Sequence, residues 1–115
     1  MARLTTAMLV AGVMGEANQE RITMVLEKRG DKDRGAIIVQ LESNDGMVRV
    51  ESRHHDPDKG AVWSAIHQDE RVTSMQAAEL VEKQISYDAD CWVVAVETPH
   101  GINPFAQYDK ATILG

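Results

Sequence analysis

Apolar and polar residues change rhythm several times along this chain, and each rhythm predicts an element. Wound as a helix, residues 4–17 are apolar all round: Leu4, Met8 and Ala11 on one side, Leu9 and Val13 on another, Val10 and Met14 on a third. Such a helix needs cover on more than one side, and in a small domain a second subunit can supply it. A strand is the alternative for this stretch. Residues 22–26 alternate and predict a strand. So do 36–42, with Ile37, Val39 and Leu41 on one face, and 47–51, with Val48 and Val50 inward and Arg49 and Glu51 outward. That outward polarity predicts one wet face, the habit of an antiparallel meander.

Residues 52–61 read as a polar loop and 62–67 as a short edge strand. Residues 73–86 predict a helix, with Thr73 and Gln76 as a capping box and Ala77, Ala78, Leu80, Val81 and Ile85 as its apolar stripe. Residues 91–97, "CWVVAVE", are apolar on both faces and predict a central strand. Gly and Pro punctuate the rest, which reads as a loosely packed tail over 101–115 anchored by Ile102, Phe105, Ile113 and Leu114. The expected fold is a single α+β domain over 1–115 with its core at 3–100. It is an antiparallel sheet of four or five strands with one or two helices packed on one face, in the order α-β-β-β-(β)-α-β.

Composition narrows the function classes. The chain has 115 residues, 43% of them hydrophobic but only 4% aromatic, so the core is aliphatic. A net charge of -6 with interspersed basic residues argues against nucleic-acid binding and against an anionic membrane surface. The single cysteine, Cys91, allows no internal disulfide and fits a reducing, cytoplasmic setting. The N-terminal segment faintly imitates a secretory signal, but Thr5 and Thr6 interrupt its apolar run and Glu16 sits in the would-be cleavage site. A retained structural element is the favoured reading.

Several stretches recur in a set order: Arg3-Leu4, "KRGDKDRGAIIVQL" from Lys28 to Leu41, the turn Asp45-Gly46, Trp63, and "YDADCWVVAVE" from Tyr87 to Glu97. Together they resemble a small bacterial family catalogued as domain of unknown function 1491. The resemblance is carried by Gly30, Gly35, Asp45, Gly46, Trp63, Asp88, Asp90 and Trp92. Cys91 departs from it, since the family pattern has a larger aliphatic there, and the pattern has no His-His pair. The resemblance implies no activity.

The densest cluster of metal-capable side chains is "SRHHDPDKG". In an extended chain His54 and His55 point to opposite sides, so only one could join Asp56, with His67 or Asp58 as a third ligand. A calcium loop fails on spacing, because Gly60 comes one position early and His67 stands where a Glu is needed. A solvated turn explains the same residues. In "RGDKDRG", backbone amides with Arg29, Lys32 and Arg34 could hold an anion, although Asp31 and Asp33 offset the charge; a hairpin loop is favoured. Asp88 and Asp90 could act as acids or ligands, or simply end the helix and bond the turn. Trp63 and Trp92 are candidates for a ligand wall or interface, with core packing as the default. Cys91 reads as a buried structural thiol.

No nucleophile elbow, phosphate loop, dinucleotide fingerprint or His-Glu-x-x-His motif occurs. The leading expectation is a non-enzymatic interaction module, homodimeric and without a cofactor. The alternative is a small ligand- or metal-binding protein or enzyme using the His54–Asp58 loop with Asp88 and Asp90.

Overall fold

The computed structural model describes residues 5–33, 35–98 and 101–114. Leu4 and Arg34 lie outside the described residues, as do the side chains of His55 and of 110–114. The elements are α1 (Thr6–Gln19), β1 (Met24–Lys28), β2 (Ile37–Glu42), β3 (Val48–Asp56), β4 (Gly60–Ala65), α2 (Ser74–Tyr87), β5 (Trp92–Glu97) and α3 (Pro104–Leu114).

The sheet is mixed, in the order β1-β5-β2-β3-β4. Three of its four pairings are antiparallel, but β2 and β5 run parallel, Val39 opposite Val94. This corrects the expected antiparallel meander. The apolar run of residues 92–96 places β5 in the interior, and it enters between β1 and β2. "RGDKDRG" is therefore not a hairpin loop. To reach β2 it crosses the start of β5, where Asp31 N–H donates to the Asp90 carbonyl at 2.8 Å.

Helices cover both faces of the sheet, which corrects the expectation of one wet face. On one side, Leu9, Val10 and Val13 of α1 and Phe105 of α3 bury Ile37, Val39, Leu41, Trp92, Val94 and Val96. On the other, Val72 with Ala77 and Val81 of α2 buries Ile38, Val48, Val50 and Val93. The α2 stripe is narrower than expected, since Ala78 is exposed. Its N-terminus has the predicted capping box, Thr73 and Gln76 bonding each other's backbone.

α3 corrects the expectation of a loosely packed tail. The segment after Gly101 is packed rather than loose, with Phe105 fully buried. This helix also supplies cover for α1 in cis: Tyr108 reaches the Gly12 region and the groove between the helices is lined by Val13, Ala17 and Pro104. Asn103 caps α3, its Oδ1 accepting from Phe105 N–H at 2.9 Å, and Pro104 fills the first helical position, where no N–H is needed.

α1 ends in a Schellman turn. Ile22 N–H donates to Ala17 O at 2.8 Å and Arg21 N–H to Asn18 O at 3.2 Å. Arg21 takes φ 61°, the left-handed conformation usually left to glycine, at a cost on the order of 1 kcal/mol.

Candidate functional site

The sequence candidates fall into separate places. β3 runs on to Asp56, so "SRHHDPDKG" is strand and hairpin rather than a ten-residue loop. The turn is built by Asp56, whose Oδ1 accepts from Asp58 and Lys59 N–H at 2.8 and 3.0 Å, and by Gly60 at φ 80°. His54 is exposed, opposite Val62. His67 is engaged at both ring nitrogens: Nε2 accepts from Val50 N–H at 3.0 Å, and Nδ1 lies 2.6 Å from the Asp69 carbonyl. It acts as a surrogate strand carbonyl at the end of the β3–β4 ladder. Among the described residues no three His, Cys, Asp or Glu side chains gather as a metal site.

The glycine loop closes around an indole. Trp92 is buried and donates from Nε1 to the Asp31 carbonyl at 2.8 Å, while the Arg29 guanidinium stands 5.7 Å from its ring centroid. A Cβ at Gly30 or Gly35 would meet Trp92 Cδ1 at 2.6 Å and press on the Asp90 carbonyl, so both positions need glycine. Amides that an anion would use are occupied: Asp31 N–H bonds Asp90, Gly35 N–H bonds Asp31 O, and Asp33 N–H bonds Asp31 Oδ1. The α1 N-terminus also holds the loop, Ala7 N–H donating to the Lys32 carbonyl at 2.9 Å.

Asp88 and Asp90 form the turn into β5. Asp88 caps α2 and its Oδ1 accepts from Asp90 N–H at 3.0 Å. Lys28 reaches across to the carbonyls of Ala89 and Cys91, at 2.6 and 2.9 Å. Burial pushes the Cys91 thiol above its ordinary range, with Lys28 opposing the shift, so the thiol is protonated and inert.

The structure gathers one cluster that sequence reasoning missed. Under α3, the β3 residues Arg49, Glu51 and Arg53 share a face with Trp63 of β4. Asp109 accepts from Arg53 Nε and Nη2, both at 3.0 Å, and from Trp63 Nε1 at 2.9 Å. Asn103 Nδ2 donates to Glu51 at 2.8 Å, and Arg49 Nε to the other Glu51 oxygen at 2.6 Å. The Trp63 ring lies 5.6 Å from Phe105, tilted 41°. Each carboxylate oxygen has a donor, so this cluster fastens α3 to the sheet. The Asn103-Pro104 pair was the signal that could have found it, as a helix start.

A mixed five-stranded sheet with helices on both faces and a salt-bridged C-terminal helix defines a small α+β protein. The family described as "Protein of unknown function (DUF1491)" matches residues 4–106, and this chain belongs to it. Its fold is similar to the crystal structure of a family member from Caulobacter crescentus CB15, at 23% identity, covering 90% of this chain and 94% of that one, with TM-score 0.77. It is also similar to the solution structure of protein Atu0922 from A. tumefaciens, at 24% identity, covering 84% and 87%, with TM-score 0.70. No curated protein matches the chain. Among the described residues, no helix is long and apolar enough to cross a membrane.

Proposed function

We propose that this protein is a non-enzymatic interaction module that self-associates as a homodimer through the outward stripe of α1. The supporting observation is the chemistry of that stripe. Met8, Ala11 and Gly15 follow at helical spacing on the side of α1 turned away from the sheet, all three are exposed, and Met8 is 56% exposed. No charged residue occurs from Thr5 to Gly15. A solvated helix face normally carries charge. Small residues at two of these positions let a second helix approach closely, and a two-fold axis would pair the stripe with itself. The sheet and α3 bury Leu9, Val10, Val13 and Ala17 within one chain and leave this uncharged stripe to solvent or a partner.

The carboxylates and histidines singled out above are mostly committed to turns, caps and the helix clamp, which supports a binding role over catalysis. The buried, protonated thiol fits work in a reducing cytoplasm. Light scattering on a size-exclusion column tests the dimer. The expected result is a dimer for the wild-type chain and a monomer for Ala11→Glu. A wild-type monomer at high concentration ends the proposal.

A further inference from the structure

The other side of the α1–β1 turn has features that the stripe does not explain. We propose that the open edge of β1 takes up an extended acidic peptide segment as a sixth strand, with Arg21 holding the segment's carboxylate. This surface adjoins the Met8, Ala11 and Gly15 stripe, since Met14 and Asn18 line its recess, but it does not depend on self-association.

The backbone supplies the docking rail. Glu97 N–H donates to the Thr23 carbonyl at 3.0 Å. Thr23–Glu97 is therefore a hydrogen-bonded pair, and so is Val25–Ala95 two residues on. Met24 and Leu26 then aim their N–H and C=O groups away from β5. β1 ends the sheet, and no described backbone group bonds them. Exposed edges are usually guarded by lysine. Here the edge lysine, Lys28, is folded inward onto the Ala89 and Cys91 carbonyls and leaves the rail open. Val25, 53% exposed, offers an apolar contact beside it.

Arg21 supplies the charge. A recess of about 450 Å³ runs beside the edge, lined by Met14, Asn18, Arg21, Ile22, Thr23 and Met24. The Arg21 guanidinium has no ion pair among the described residues. It is also the one described non-glycine residue at positive φ. Glycine would make the same turn without strain, so the strained arginine is explained by what its side chain does. Strand addition takes affinity from the main chain and selectivity from alternate side chains, and a guanidinium fork selects a carboxylate. The net charge of -6 repels acidic partners at long range, so selection rests on Arg21 itself.

The full chain, panned against a random-peptide display library, is expected to enrich peptides of alternating apolar residues with one Asp or Glu at a fixed place. Titrated into isotope-labelled protein, these peptides shift the Met24 and Leu26 amide signals. Arg21→Gly raises the thermal midpoint by roughly 3 °C and weakens binding at least about tenfold, whereas Arg21→Lys keeps part of the affinity. The proposal is overturned by a library without enrichment, by shifts confined to other surfaces, or by unchanged binding in Arg21→Gly. Concentration-dependent protection of the Met24 and Leu26 amides in the free protein would assign the edge to a second copy, and would overturn it equally.

Discussion

Beneath α2 the sheet meets side chains of one kind: Val72, Ala77 and Val81 lie on Ile38, Val48, Val50 and Val93, with Cys91 at the margin. On the opposite face α1 makes a similar apolar contact, but toward β3 and β4 the chemistry changes. There α3 is set down by Phe105 and then bolted by Asp109, Arg53, Trp63, Asn103 and Glu51. Apolar burial is non-directional and tolerates small rotations, so the α2 face specifies proximity more than angle. A bidentate ion pair and two further hydrogen bonds fix where α3 sits along the strands as well as how near it lies.

Three measurements sharpen that contrast. The largest effect is expected at the apolar anchor of the bolted face. Phe105→Ala is expected to cost about 3–5 kcal/mol in denaturant unfolding, against about 2 kcal/mol for Val81→Ala beneath α2. A smaller loss for Phe105→Ala than for Val81→Ala would mean that α3 is an appendage. Next comes the bolt. Asp109→Leu strands the Arg53 guanidinium and removes the Trp63 partner; since 32% of the Arg53 side chain still meets solvent, the expected cost is about 1–3 kcal/mol. The double change Asp109→Leu with Arg53→Met recovers much of that loss if the pair serves orientation more than stability, and Trp63 fluorescence reports whether α3 has shifted.

The smallest effect lies on the dry face. Burial raises the Cys91 thiol pKa in the folded chain, so the unfolded chain loses its proton first as pH rises. This contribution is complete below the ordinary thiol range and fades as pH rises through and above it. Cys91→Ala should flatten that alkaline slope, and an unchanged slope would assign it to other groups.

The same contrast explains what could be read from the chain beforehand. α2, β2 and β5 announce themselves because apolar periodicity is the trace that non-directional burial leaves in a sequence. α3 leaves little such trace: one phenylalanine and a capped Asn-Pro start carry it, while its partners on β3 lie some fifty residues away. Arg53 and Glu51 look like solvent-facing strand residues until α3 is placed above them. The polar end of β3, Ser52 to Asp56, imitates a loop, although it pairs with β4 as far as Asp56–Gly60. The interior position of β5 was legible from its two apolar faces; its parallel partner was not, because local alternation says nothing about which strand lies alongside. Among the metal-capable candidates, local sequence likewise gives no sign that the His67 ring meets Val50 N–H and the Asp69 carbonyl, because the fold brings Val50 to it.

The insertion of β5 between β1 and β2 also has a temporal meaning. During synthesis β1 and β2 emerge early, yet the strand that joins them comes last. Until Trp92 and the residues after it leave the ribosome, β2 has only β3 beside it, β1 has no strand beside it, and the glycine loop has no indole to close around. The nascent chain can form the β2-β3-β4 meander and α2 from local contacts, whereas the full sheet awaits a single long-range docking event. Truncation before β5 should therefore leave a three-stranded fragment with an exposed inner strand edge, the state of this protein most prone to aggregate.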